Sequence, residues 1–282
     1  MKIYITGLPS GYEVEHLVRL FYPMAPLTLT APEDGEDCVW AEKRPDGLWA
    51  MVRERGKSKT ARALLPDIET PEFALASLTY DLLRAWTGIR PPWGKMTGVR
   101  PVRLIHDKRA AGWSEEDIDQ FFLGRFDCSR QKYQMAKAIA DLQEPILKAG
   151  SVPKTYSLYI GIPFCPSRCS YCSFVSCNLD RDRKMVQPYV DCLCREVEEI
   201  KAQADKAGLT LCSIYIGGGT PTSLSADQLR QLMGTVRENF DLSKVMEYTV
   251  EAGRPDCTDA EKLAVIKEYG ATRISINPQT FS

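Results

Sequence analysis

Cys165, Cys169 and Cys172 form a C-x3-C-x2-C array inside the stretch Tyr159-Ile160-Gly161-Ile162-Pro163-Phe164-Cys165-Pro166-Ser167-Arg168-Cys169-Ser170-Tyr171-Cys172-Ser173-Phe174. Three thiolates so spaced can hold three irons of a cubane iron–sulfur cluster and leave the fourth iron open to a chelating ligand. Zinc is the second chemistry open to them. It favours paired short spacings and a fourth protein ligand, and neither His16 nor His106 is close in sequence. A redox dithiol, Cys169 with Cys172, is the third, and it would leave Cys165 without a role. Cys192 and Cys194, two apart on a predicted helix, point away from each other. Cys38, Cys128, Cys212 and Cys257 read as core or surface thiols, and Cys177 as a spectator.

Three further groups could do chemistry: Gly217-Gly218-Gly219-Thr220-Pro221, Glu251, and Asn277-Pro278-Gln279. The glycines would let a ligand approach the backbone or would simply make a tight turn, and they lack the G-x-G-x-x-G spacing of a dinucleotide site. Glu251 could accept hydrogen bonds from a ribose or an ammonium group, or it could be an ordinary exposed or ion-paired carboxylate. The pattern that must position these groups alternates strand and helix. Tyr156 to Ile162 reads as a strand, stopped by Pro163. Val186, Val190, Leu193, Val197 and Ile200 mark one face of a helix, and Cys212 to Ile216 follow as a buried strand. Ser225 with Gln228 is a capping box opening a helix with Leu229, Leu232, Met233 and Val236 on its apolar side. Met246 to Val250 is a strand, Thr258 with Glu261 caps a third helix, and Arg273 to Ile276 begin a fourth strand. Such alternation implies a parallel sheet with right-handed crossovers, as a barrel or an open doubly wound sheet. Each chemical group follows a strand, so all four should converge at the sheet's C-terminal edge.

The preceding residues are of a different kind. Residues 1–65 read as a small α+β module, with a helix from Val14 to Phe21 and a hairpin of Asp37–Lys43 and Leu48–Arg53 turned by Arg44-Pro45-Asp46-Gly47. Residues 66–150 read as a helical segment, with helices over Pro71–Trp86, Trp113–Phe122 and Ser129–Lys148. In the last, Met135, Ile139, Leu142 and Ile146 are expected to face a core, and Pro145 to kink or end the helix. Gly88 to Arg103 carries four cations and reads as a solvated linker, with pairing to an acidic ligand or partner as the other possibility. Gly150-Ser151-Val152-Pro153 marks the boundary to a third region, residues 151–282. His16 and His106 are isolated and read as structural.

The 282 residues carry 36 Lys and Arg against 37 Asp and Glu. This near balance argues against broad electrostatic binding to nucleic acid or an anionic membrane. The N-terminus lacks the features of a secretion signal, and no apolar run is long enough to span a bilayer. Ten cysteines without such a signal point to a reducing, cytoplasmic setting.

The cysteine array, Tyr171 before its third member, and the Gly-Gly-Gly-Thr-Pro segment together resemble the radical S-adenosylmethionine (SAM) enzymes. Ile162-Pro163-Phe164-Cys165 and Arg273-Ile274-Ser275-Ile276-Asn277-Pro278-Gln279-Thr280-Phe281 look more narrowly like the oxygen-independent coproporphyrinogen-III oxidase group. The stretch from Gly88 to about Leu147 is similar to the leader of its HemZ-like coproporphyrinogen dehydrogenase branch. The resemblance covers roughly residues 88 to 282. It implies a partial β/α, TIM-like barrel that stops after its fourth strand, as a C-terminally truncated fragment would. It implies a 4Fe-4S cluster on Cys165, Cys169 and Cys172, with SAM chelated at the open iron. Tyr159, Tyr171, Gly218, Gly219, Thr220, Glu251 and Gln279 would contact SAM. The implied reaction belongs to haem biosynthesis. SAM is cleaved reductively to a 5'-deoxyadenosyl radical, and propionates of coproporphyrinogen III lose carbon dioxide to become vinyl groups of protoporphyrinogen IX. A separate reductant protein would supply electrons. Two positions differ from the group: Phe174 stands where the oxidases have a further cysteine, and Gly161 where they have His. Related proteins without that cysteine act in haem trafficking, which is the alternative reading.

Overall fold

In the computed structural model, residues 1–28, 30–65 and 70–278 are described. The chain divides into two compact units, Met1–Leu142 and Gln143–Ser282.

Strands and helices of the first unit follow their local signals closely. β1 (Lys2–Thr6), α1 (Tyr12–Arg19), β2 (Leu27–Thr28), β3 (Cys38–Arg44), β4 (Gly47–Glu54) and β5 (Lys57–Ala63) give a five-stranded sheet of order β2-β1-β3-β4-β5. The hairpin closes with Arg44 opposite Gly47, whose φ of 145° favours glycine. α2 (Pro71–Thr87) starts with Thr70 accepting a hydrogen bond from the Phe73 amide, has proline in its first turn, and stops at Gly88 with φ of 73°. Its Leu75, Tyr80 and Leu83 share one core with Ile3, Leu17, Val39 and Val52 of the sheet side. A separate cluster of Met96, Ile105, Ile118, Phe122, Tyr133, Ala136 and Ala140 is built by α3 (Pro101–Ala110), α4 (Glu115–Asp119), the first part of α5 (Arg130–Gly150), the turn between α4 and α5, and the segment before α3.

Four expectations for residues 66–150 are corrected. The helix expected over Trp113–Phe122 is α4 followed by a π-helical turn, Gln120–Arg125. In α5 the buried face is Tyr133, Ala136 and Ala140, while Met135, Ile139 and Leu142 are exposed. Small alanines let the neighbouring backbone approach, which a count of large apolar residues overlooks. Pro145 lies inside this helix and does not end it. Nor is Gly88 to Arg103 a solvated linker. Arg90 pairs with Asp127, and Lys95 with Asp81 and Ser77. Arg103 lies in α3 and pairs with Asp107 one turn on.

The second unit carries the β-α alternation. β6 (Thr155–Ile162) is followed by two short paired strands, β7 (Phe164–Cys165) and β8 (Cys177–Asn178), and by α6 (Leu179–Asp182). Then come α7 (Val186–Ala207), β9 (Thr210–Gly218), α8 (Ala226–Asn239), β10 (Glu247–Glu251), α9 (Ala260–Glu268) and β11 (Arg273–Ser275). The sheet order is β11-β10-β9-β6, every pair parallel. This is the α/β architecture expected of the opening units of a β/α barrel. The α8 capping box forms in both directions between Ser225 and Gln228. For α9 the cap is Asp259 and not Thr258, whose hydroxyl donates to the Arg254 carbonyl and is hydrogen-bonded to the Thr222 hydroxyl.

Period-two alternation gives this sheet two unlike faces. Leu158, Ile160, Ile162, Ile214, Ile216, Tyr248 and Val250 are buried in one core with Val190 and Val197 of α7, Leu229 and Met233 of α8, and Ile266 of α9. The opposite face is polar and aromatic. Ser213 bonds Ser157 across it, Tyr159 stacks on Tyr215, and Arg273 pairs with Glu247. Among the described residues no helix is long and apolar enough to cross a membrane.

Candidate functional site

The C-terminal ends of β6, β9, β10 and β11 surround a cavity of about 460 Å³. Cys165, Cys169, Cys172 and Tyr171 line it from the segment after β6, Gly218, Gly219 and Thr220 from the end of β9, Glu251 from the end of β10, Arg254 from beyond it, and Asn277 from beyond β11. Parallel strands bring their following loops to one side, so residues more than a hundred positions apart meet here.

The base of the cysteine loop is held by several bonds. The Gly219 amide donates to the Ile162 carbonyl at 2.8 Å, the Cys177 amide to the Pro163 carbonyl at 2.7 Å, and the Tyr189 hydroxyl to the Gly161 carbonyl at 2.6 Å. The β7–β8 pairing sets Cys165 opposite Asn178 and Phe164 opposite Cys177. Cys177 packs against the core and does not line the cavity. Thr220, almost wholly buried, donates from its hydroxyl to the Cys165 sulfur at 3.5 Å. The Cys172 amide donates to the Cys169 carbonyl at 3.1 Å, a tight turn that keeps the last two thiols on one loop.

The glycines are there for room. A Cβ on Gly219 would stand 2.9 Å from the Cys165 sulfur and 2.9 Å from the Phe164 carbonyl. One on Gly217 would stand 2.6 Å from the Tyr215 ring and 3.3 Å from the Glu251 carboxyl carbon. Gly218 has φ of 109°, which an L side chain resists. The run thus ends β9 where the chain itself packs too closely for side chains.

Of the residues singled out from sequence, Tyr171, Gly218, Gly219, Thr220, Glu251 and the three cysteines line the cavity. Tyr159 does not. Its ring lies on the polar face one row below, parallel to Tyr215 with centroids 5.9 Å apart, and is 62% exposed. Gln279 lies outside the described residues. Tyr215 and Arg254 were not foreseen. The Tyr215 hydroxyl donates to Glu251 at 2.5 Å, and burial together with this carboxylate pushes its pKa up to about 12. Burial dominates that shift, so Tyr215 is a fixed donor that orients Glu251. Its signal was available: Ser213, Tyr215 and Gly217 occupy alternate positions of β9, on the face away from the core.

Arg254 reaches back from beyond β10 to the cysteine loop. It donates to the Ser167 carbonyl and hydroxyl, each at 3.1 Å, and to the Cys169 sulfur at 3.6 Å, and it pairs with Asp256. The Tyr171 hydroxyl has its pKa raised chiefly by a hydrogen bond to Cys169.

The donor chemistry fits a cluster bound through three thiolates. Three free thiols line one cavity, and polar hydrogen-bond donors lie beside two of the sulfurs. Among the described residues no group of three or more His, Cys, Asp or Glu is placed to hold a single metal ion. The sequence comparison bears on the same stretch: residues 159–282 match the family profile of the Radical SAM superfamily. The chain carries a radical SAM domain. A match to that superfamily implies a 4Fe-4S cluster and SAM.

Relatives of this radical SAM domain chain include the oxygen-independent coproporphyrinogen-III oxidase-like protein HemZ of Bacillus subtilis (strain 168). It is 37% identical over 208 residues, 71% of this chain and 40% of HemZ. Heme chaperone HemW of the same organism is 43% identical over 129 residues, 44% of this chain and 32% of HemW. Among solved structures, coproporphyrinogen III oxidase (HemN) from Escherichia coli, described as a radical SAM enzyme, matches with a TM-score of 0.41. The identity is 28%, covering 50% of this chain and 32% of that one. The chain thus spans about a third to two fifths of the length of these relatives.

Proposed function

We propose that Cys165, Cys169 and Cys172 hold a 4Fe-4S cluster whose open iron chelates SAM, and that the protein is an oxidoreductase of porphyrinogen metabolism. The observation that carries this reading is the convergence of three thiols, the Gly218-Gly219-Thr220 backbone and Glu251 on one 460 Å³ cavity. Cluster and SAM together supply reductive cleavage of SAM and a carbon radical able to abstract hydrogen. The protein supplies holding, orientation and exclusion of water. Thr220 keeps the Cys165 sulfur aimed into the cavity through its hydroxyl. Gly218 and Gly219 line the cavity beside the thiols, where the methionyl end of SAM would lie. Glu251, fixed by Tyr215, accepts from ribose or ammonium donors. Tyr171 flanks the mouth, and the family resemblance adds Gln279 as a further SAM contact, while Tyr159, which does not line the cavity, takes no part.

The substrate reading is oxidative decarboxylation of coproporphyrinogen III to protoporphyrinogen IX, in the cytoplasm. Each propionate gives up carbon dioxide, a hydrogen atom to the 5'-deoxyadenosyl radical and an electron to an external acceptor. A separate reductant protein supplies the electron that cleaves SAM, and no nucleic acid or membrane takes part. Phe174, Val175 and Tyr171 put exposed apolar and aromatic surface beside the thiols, suited to a flat tetrapyrrole. Haem binding for delivery is the second reading. It is favoured by Phe174 in place of a further thiol and by the likeness to a protein named as a heme chaperone.

Anaerobic reconstitution with iron and sulfide tests the site. A 4Fe-4S signal that changes on adding SAM, and that is lost in Cys169→Ala, is expected; full retention in that variant refutes the ligand assignment. Supplying coproporphyrinogen III, SAM and dithionite then separates the two functions. Carbon dioxide and 5'-deoxyadenosine are expected from the oxidase. Tight one-to-one haem binding with neither product would establish delivery instead.

A further inference from the structure

Arg254 holds no SAM group in the reading above, yet it lies against the cysteine loop. Its guanidinium is 16% exposed and carries three kinds of bond at once. Nη1 donates to the Ser167 carbonyl at 3.1 Å and to the Cys169 sulfur at 3.6 Å, while Nη2 donates to the Ser167 hydroxyl at 3.1 Å. The far edge of the fork meets Asp256, with Nε 2.9 Å from one carboxylate oxygen and Nη2 on the other. One planar cation therefore links the end of β10 to a loop 85 positions earlier in the chain and aims an N–H at one of its thiols.

We infer that Arg254 is a positioning residue that holds the Cys169 sulfur and raises the reduction potential of the cluster bound through it, with Asp256 setting how far. The inference rests on the cluster reading proposed above. Reduction adds one electron to the cluster, taken in the assay from dithionite through low-potential mediators, and increases the negative charge on its sulfurs. A cation and a hydrogen bond at a ligand sulfur favour the more negative state, and so shift the couple upward. Asp256 acts in the opposite sense, because its carboxylate offsets part of the guanidinium charge. Asp256 is about half exposed, so its influence is screened more than that of Arg254. A brace without electrostatic effect would leave the potential where it is in every variant that loads fully. Tuning predicts shifts of opposite sign at the two positions.

The test is a potentiometric titration followed by electron paramagnetic resonance on the anaerobically reconstituted protein, with iron and sulfide counted per chain. Arg254→Met should shift the reduction equilibrium at least tenfold toward the oxidised cluster, about 59 mV lower for a one-electron couple. Arg254→Lys, which keeps the charge and loses the fork, should fall between Met and wild type. Asp256→Asn should move the potential upward. An unchanged potential in a fully loaded Arg254→Met overturns the inference. If that variant takes up no cluster, Asp256→Asn decides: a rise supports the inference and an unmoved potential overturns it. A wild-type protein with no SAM-responsive 4Fe-4S signal would instead refute the cluster reading itself.

Discussion

Replacing Gly219 by alanine puts the packing of the site to a direct test. The amide of Gly219 is already bonded to the Ile162 carbonyl at 2.8 Å, so the backbone cannot swing aside without breaking that bond. The added Cβ would stand 2.9 Å from the Cys165 sulfur, 2.9 Å from the Phe164 carbonyl oxygen and 3.1 Å from the Ile162 carbonyl oxygen. Two of these neighbours are backbone atoms of the segment that presents Cys165, and neither can rotate away. Overpacking of this kind costs about 1–3 kcal/mol. The loss of unfolded-state freedom on going from glycine to alanine returns about 0.4–1 kcal/mol, since φ at Gly219 is not in the left-handed region. The net expectation is roughly 1–2 kcal/mol, or a melting temperature lower by about 3–8 °C for a unit of this size. Gly161→Ala is the matched control, because its Cβ would meet the Tyr159 ring at 3.5 Å, an ordinary contact. Differential scanning calorimetry and the iron and sulfide content after reconstitution read both effects. Gly219→Ala should melt lower and hold less than half the wild-type iron, and Gly161→Ala should match wild type in both. A Gly219→Ala protein with unchanged melting and full iron would refute the close approach on which the site description depends.

Removing the hydroxyl in Tyr215→Phe frees Glu251 from its donor and should weaken SAM binding about tenfold by calorimetry, the worth of one hydrogen bond to a charged group. The same variant alters alkaline behaviour. The folded-state pKa of Tyr215 is raised to about 12, so its contribution to stability is complete below pH 10 and is lost as pH rises through 12. Tyr215→Phe should therefore lose stability less steeply than wild type over that window in denaturant titrations. In the first unit, Asp127 accepts from Arg84, Arg90 and Tyr80 and has φ of 52°. Asp127→Ala should cost about 1–3 kcal/mol in denaturant unfolding and Asp127→Asn less, because asparagine tolerates that backbone and keeps a hydrogen-bonding side chain. Neither should change iron content. Phe174→Ala removes an exposed aromatic surface beside the thiols and should weaken porphyrin binding about 2- to 12-fold by fluorescence quenching, equivalent to about 0.5–1.5 kcal/mol of ring stacking, with the cluster intact. Unchanged porphyrin affinity would remove Phe174 from the proposed substrate surface.

Much of the second unit could be read ahead of the structure because its signals are local and agree with one another. Val186, Val190, Leu193 and Val197 recur at helical spacing and are all buried, and Ser225 with Gln228 caps α8 in both directions. Where two signals competed, the reading erred. Thr258 and Asp259 are both plausible caps for α9. The structure uses Asp259, because the Thr258 hydroxyl is committed to Thr222 and the Arg254 carbonyl. In α5, large residues at helical spacing outweighed Tyr133, Ala136 and Ala140, yet close packing rewards fit and not size. The cations between Gly88 and Arg103 looked solvated because their partners Asp81 and Asp127 lie outside that stretch.

The candidate site divides along the same line. Cys165, Gly218 and Glu251 were legible because each follows a strand, and parallel strands bring such residues to one edge whatever their separation in sequence. Tyr215 sits inside an apolar run, Cys212 to Ile216, and only its alternation with the buried Ile214 and Ile216 marks it as facing away from the core. Arg254 had no signal of that kind. Its role depends on a loop beginning near Pro166, whose course is set by β7, β8 and the bonds at Pro163 and Ile162 and not by anything near Arg254 in the chain. Residues that present a cofactor's ligands can thus be found from topology. Those that adjust the ligands' electrostatics emerge only when side-chain reach is known, and this is why Arg254 and Asp256 carry the sharpest test of the site.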